Sequence, residues 1–215
     1  MIICEMVQKT SRAAARPRGR PRAYDPATAL ARATEAFWKS GYAATSLDEL
    51  AAATGMNRPS LYTAFGDKQA LYLQALERYW TKGLERMREM LACDRPLPEA
   101  LLRVYQAALD IYFPGKGPPR GCFAIGTAAT AAVDDPLIRA VFAQGLRKLD
   151  EGFAARIRAD RESGKLPGGA DADTLAVLAS ATLHTLALRA RAGTPRAELE
   201  EMARKAVGIL CRTAA

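Results

Sequence analysis

Six basic side chains, Lys9, Arg12, Arg16, Arg18, Arg20 and Arg22, stand between Met6 and Tyr24 with no acid among them. Such a run is drawn to polyanions, although a solvated basic tail is the plain alternative. Further along, Arg58, Pro59, Ser60, Tyr62 and Thr63 crowd into one short stretch. An arginine there can grip guanine O6 and N7 together, a contact that distinguishes bases; its alternative is a phosphate contact. Thr45 and Ser46 supply hydroxyls of the kind that meets phosphate, which sets register without reading sequence. The net charge of +8 agrees with an anionic partner but is weak evidence taken alone.

Catalytic and metal chemistry finds little to work with. Cys4, Cys93, Cys122 and Cys211 form no C-x-x-C pair, and His184 is the single histidine, so no zinc-ligand spacing exists. No catalytic residue, metal ligand or cofactor is expected, and the cysteines suit a reduced, cytoplasmic protein. Cys122 follows a basic loop holding Lys116 and Arg120. That setting can lower a thiol's pKa and make it a redox or electrophile sensor; a packed free thiol is the competing reading. An enzyme with Cys122 as nucleophile and His184 as base would lack a recognisable third group and oxyanion hole.

The elements that must position these residues are all helical by pattern. Alanine, leucine and arginine dominate, and no segment alternates with period two between turn signals. Asp25-Pro26 caps a first helix that stops at Gly41. Ser46 and Glu49 form a capping box for a second, Leu47 to about Ala53, which ends before Gly55. Asn57 caps a third with Pro59 in its first turn, and Asp67 caps a long fourth carrying Tyr72, Leu76, Trp80, Leu84, Met87 and Leu91. A fifth runs from about Leu97 to Phe113. After the Pro- and Gly-rich loop to Gly121, a short apolar helix spans Cys122 to about Val133. Asp135-Pro136 then caps a long amphipathic helix, and two more run from about Asp173 to Arg191 and on to about Arg212. Apolar runs break well short of the roughly 18–20 residues that span a bilayer, and Met1–Val7, carrying Glu5, does not read as a secretory signal.

Residues 36–68, Ala-Phe-Trp-Lys-Ser-Gly-Tyr-Ala-Ala-Thr-Ser-Leu-Asp-Glu-Leu-Ala-Ala-Ala-Thr-Gly-Met-Asn-Arg-Pro-Ser-Leu-Tyr-Thr-Ala-Phe-Gly-Asp-Lys, resemble the DNA-binding segment of the tetracycline-repressor-like (TetR) family. The likeness is specific over about Arg20–Leu76. It implies an all-α protein: a basic arm over 1–23, a three-helix helix-turn-helix domain over 24–68, and a larger ligand-binding and dimerisation domain over 69–215, about nine helices in all. Within the trio, Leu50, Ala53, Leu61 and Phe65 are the expected core and Gly55 the tight turn. Lys68 would meet the DNA backbone. Arg18-Gly19-Arg20-Pro21 is similar to the core of AT-hook peptides, which lie in a narrow A·T minor groove.

The resemblance further implies a cytoplasmic bacterial homodimer on a palindromic operator, released by a small molecule. Repressor and activator remain alternatives. On the last two helices, Leu175, Leu178, Thr182 and Leu186, then Leu199, Met202, Ala206 and Ile209, are the expected dimer contacts; closing the monomer core is the rival role for these helices. Trp80, Met87, Tyr105, Leu109 and Tyr112, together with Phe113, Phe123, Phe142 and His184, are candidates for a pocket suited to a hydrophobic or aromatic effector, each of which could equally be ordinary core.

Overall fold

A computed structural model describes residues 24–115, 117–166 and 171–213, and among them every regular element is a helix. Helix α1 spans Pro26–Ser40, α2 Leu47–Thr54, α3 Arg58–Phe65 and α4 Lys68–Leu91. Each begins where a short polar side chain takes up backbone N–H groups left without an intrahelical partner. The Asp25 carboxylate accepts from the amides of Ala27 and Thr28. Ser46 Oγ accepts from Glu49 N at 3.1 Å while Glu49 returns a carboxylate oxygen to Ser46 N at 2.7 Å. Asn57 caps Ser60 N and Asp67 caps Ala70 N. Between α2 and α3 the chain turns at Gly55 with φ +71°, a left-handed geometry that a Cβ would oppose.

Leu50, Leu61 and Phe65 close the core of this helix trio as the pattern predicts, with Met56 beside them. Ala53 is only half-buried. The inward place on α2 belongs instead to Thr54, whose hydroxyl is satisfied by donating to Leu50 O at 2.7 Å.

Helix α5 spans Leu97–Tyr112. The helix expected from Cys122 onward is instead a π-helical turn, Ala124–Ala128, running into one α turn, Ala129–Ala131; together they are α6. Gly126 lies against Arg191, whose Nη1 would stand 2.8 Å from any Cβ there, and Thr127 Oγ1 donates to Phe123 O. Helices α7, Pro136–Glu162, α8, Ala172–Arg191, and α9, Arg196–Thr213, complete the C-terminal body. There α7 packs along α8 and α4, and α5 along α9. Arg156 on α7 ties this body together, pairing with Asp160 at 2.8 Å and donating to the carbonyls of Leu91, Cys93 and Arg95 beyond the end of α4.

An aromatic cluster joins the trio to the body. The Phe37 ring meets Tyr72 edge-on at 5.1 Å, Trp38 meets Tyr79 at 5.5 Å, and Phe123 touches Trp38, Tyr72 and Tyr79 at 5.4–5.8 Å. Burial pushes the Tyr72 phenol up to about 12, and its oxygen is satisfied by Thr127 at 2.6 Å.

Candidate nucleic-acid interface and ligand cavity

Helix α3 buries Leu61 and Phe65 and turns its other side outward. Arg58, Pro59 and Thr63 are exposed, Ser60 is half-buried, and Tyr62 keeps 48% of its surface in solvent. Tyr62 is therefore no core residue, and the base-reading candidates of the sequence share one rigid face. Arg58 is held rather than free. Its guanidinium pairs with Asp48 of α2 at 2.5 Å, with Nε donating to the same carboxylate at 2.8 Å. Both partners are exposed, so the pair orients the side chain more than it stabilises the fold. Asp48 was not singled out from sequence, because a contact ten residues away leaves no local signal.

Among the phosphate candidates, Ser46 is exposed at the start of α2, and its hydroxyl, which accepts from Glu49 N, keeps a proton to donate. Lys68 sits at the first position of α4 with its ammonium over the Tyr42 ring at 4.8 Å and donating to Ala43 O at 3.2 Å. Desolvation lowers its pKa, opposed by Glu49. Thr45 departs from expectation. It is 1% exposed, and its hydroxyl donates to Gly41 O at 2.6 Å, closing the α1–α2 turn instead of facing a backbone phosphate. Arg18, Arg20 and Arg22 lie outside the described residues.

The C-terminal body holds a cavity of about 320 Å³ between α4, α5, α6, α7 and α8. Trp80, Met87, Tyr112 and His184 line it, as predicted. Five other candidates do not. Tyr105 and Leu109 are sealed in the core, the tyrosine hydroxyl donating to Ala179 O at 3.1 Å. Phe123 belongs to the aromatic cluster, and Phe113 and Phe142 pack at the core's margin. Composition could not separate these groups, since a cavity wall and a core use the same side chains. Tyr79, Met90, Ile111 and Ile125 were missed for the same reason. The Trp80 ring lies flat against Gly145 of α7, where a Cβ would come within 2.1 Å of it. His184 Nε2 has no hydrogen-bond partner; burial lowers the imidazole's pKa, opposed by Asp150, so the ring is neutral at pH 7.

Cys122 also faces this cavity. Burial pushes its pKa up, opposed by the amides of Ile125 and Ala124 and by the Tyr79 hydroxyl, which donates to Sγ at 3.2 Å. Of the two basic loop residues, Lys116 lies outside the described residues and Arg120 is engaged elsewhere. That guanidinium lies 3.8 Å over the Trp38 ring, binds the Glu35 carboxylate of α1 at 2.6 and 2.9 Å, and donates to Ile111 O. The segment between cavity residues Tyr112 and Cys122 is thus fastened to the helix trio.

On α8, Leu175 and Leu186 are buried in the chain's own core, as is Leu199 on α9, so these three are not dimer contacts. They pack inward because α8 turns one face to α7 and α5 and another to α9. The outward stripe carries Leu178 at 50% and Leu188 at 56% exposure, with Val177 beside them and Ile209 at 57% on α9. Thr182, Met202 and Ala206 are half-buried beside this stripe. Val177 was not anticipated, since α8 is apolar on nearly all sides.

Comparison with known proteins decides the family. The profile of bacterial regulatory proteins of the tetR family matches residues 29–75, and that of the tetracyclin repressor-like C-terminal domain matches residues 98–206. The chain belongs to the TetR family. This TetR-family transcriptional regulator is 30% identical over 199 residues to the transcriptional repressor ComR of Escherichia coli, covering 92% of the chain and 94% of ComR. The repressor BdcR of the same organism is 36% identical over 94 residues, covering 44% of the chain and 48% of BdcR. Among solved structures, a cysteine-substituted form of the TetR-family regulator CifR, complexed with 26-base-pair operator DNA, superposes with a TM-score of 0.81 at 29% identity. That match covers 88% of this chain and 98% of the other. Reduced NemR of E. coli shares the fold at 21% identity and a TM-score of 0.75. The family consists of regulators, not enzymes.

Proposed function

We propose that this TetR-family regulator acts in the bacterial cytoplasm as a homodimeric repressor, without catalytic activity of its own. It binds a palindromic operator through two copies of α3 and leaves it when a small hydrophobic or aromatic molecule fills the cavity. The observation that carries the reading is the geometry of α3. A helix fixed by the Asn57 cap, the Gly55 turn and a dry inner face presents Arg58, Pro59, Tyr62 and Thr63 as one exposed row. Ser46 and Lys68, at the starts of the flanking helices, stand where amide-rich ends attract phosphate. The operator complex of the related regulator CifR supports the same assignment.

Pairing through the outward faces of α8 and α9 would set the two recognition helices one DNA turn apart, about 34–36 Å, or a multiple of it. Helix α4, 24 residues and so about 36 Å long, begins at Lys68 beside the DNA face and carries Trp80 and Met87 into the cavity. A ligand that favours a different tilt of α4 would shift the pair toward a spacing unfit for both half-sites. The Arg120–Glu35 bridge gives the cavity a second route to α1.

The deciding experiment is selection of bound duplexes from a random pool by the full-length protein. An enriched inverted repeat, bound about 10³-fold or more above random sequence, is the expected result. Equal affinity for all duplexes would reduce the protein to a non-specific DNA binder. Deleting residues 1–22 should lower affinity and flatten its salt dependence.

A further inference from the structure

The chemistry of the cavity wall narrows the class of molecule it can take. Its interior is apolar, formed by Leu84, Met87, Val104, Ile111, Leu149 and Leu183 among others, and among the described residues no aspartate or glutamate lines it. Two lining residues are cations, Lys82 and Arg86, one turn apart on the same face of α4. Both are exposed, so they stand where the cavity meets solvent. Neither makes an ion pair or side-chain hydrogen bond among the described residues. A dry cleft with two unpaired cations at its mouth and no acid in its wall attracts one sign of charge only, because field lines concentrate at a low-dielectric opening.

We infer that the effector is an amphipathic organic anion. Its apolar body lies between Met87, Ile111 and Tyr112, and its single anionic group, of carboxylate type, is held at the mouth by Lys82 and Arg86. Charge complementarity selects this occupant. A cationic molecule would meet two like charges at the mouth, and a neutral one would gain no attraction from them. This inference rests on the reading of the cavity as the effector site, and it adds the sign of the ligand's charge.

Matched probes test it on the full-length dimer, with binding read by calorimetry and by tryptophan fluorescence, Trp80 being in the wall. Octanoate is compared with octanol and octylamine, and naphthoate with naphthalenemethanol. At low salt each anion should bind about five- to tenfold more tightly than its neutral counterpart, and octylamine least of all. The preference should shrink at high salt, where exposed charges are screened. Lys82→Gln with Arg86→Gln, both at exposed positions without partners, should abolish the preference while leaving octanol binding unchanged. Equal binding of anion and alcohol, or a preference that survives the double substitution, overturns the inference and leaves the cavity reading intact. If no probe binds, or if Ala108→Phe, which fills the cavity from α5 in a variant shown to be folded by circular dichroism, leaves binding unaltered, the cavity itself is not the site and both readings fall.

Discussion

Helix α3 turns Arg58, Pro59, Tyr62 and Thr63 to solvent, whereas α8 turns out Val177, Leu178 and Leu188. Both helices bury one face and leave the other bare, yet the bare faces differ in kind. The face of α3 is short and carries polar groups, with Lys68 nearby, suited to a wet, charged partner. That of α8 is long and aliphatic, suited to a surface like itself. The difference teaches that exposure alone says only that a partner is missing; the chemistry of the exposed atoms says which one.

The strongest way to break this contrast is to charge the aliphatic face. Leu178→Glu together with Leu188→Glu should turn the dimer into a monomer by sedimentation. It should also lower operator affinity by ~100-fold or more, since two half-sites would no longer be bound as a unit. A monomer that still held its operator at full strength would divorce α8 from DNA binding. On α3, Arg58→Ala should relax preference at one base pair by about 1–3 kcal/mol and leave assembly untouched. A uniform loss over all sequences in a competition assay would make Arg58 a phosphate ligand instead. A face that is already covered should behave unlike either. Gly145→Ala drives a methyl into the Trp80 ring, so it should cost about 1–3 kcal/mol in denaturant unfolding while assembly and base choice stay unchanged.

The smallest effect is expected from His184, on the α8 flank that lines the cavity. Its folded pKa lies below the ordinary histidine value because burial disfavours the imidazolium, despite the pull of Asp150. The unfolded chain therefore takes up the proton first as pH falls, so stability declines below about pH 6.5 and levels off once the folded form also protonates. With one histidine in the chain, His184→Gln should flatten the stability profile between pH 7 and 5. An unchanged slope would trace it to other groups.

The starts of α1 to α4 were legible in the sequence because Asp25, Ser46, Asn57 and Asp67 act within three residues of themselves. The recognition face was legible for a similar reason, since Leu61 and Phe65 at helical spacing leave Tyr62 nowhere but outside. Orientation in α8 was not. When Leu175 and Leu178 are equally apolar, periodicity no longer tells core from surface, and only packing against α7 and α9 decides. Thr45 misled by position. One residue ahead of the cap, its hydroxyl closes a turn rather than opening onto an anion. The cavity was half visible, because Met87 and Leu109 look alike until the void beside one of them is seen. Lys82 and Arg86 carry no local cue in the sequence that a hollow lies beside them.

The rings of Phe37 and Trp38 pack in large part against Tyr72, Tyr79 and Phe123, outside their own helix trio. A fragment trimmed just after residue 68 would leave two large aromatic side chains facing water and invite aggregation. Grafting this reading head onto a relative's sensor would therefore require transplanting the first three turns of α4 and the Phe123 bend with it. Chimeras joined at the apparent seam should fail in solubility before they fail in recognition.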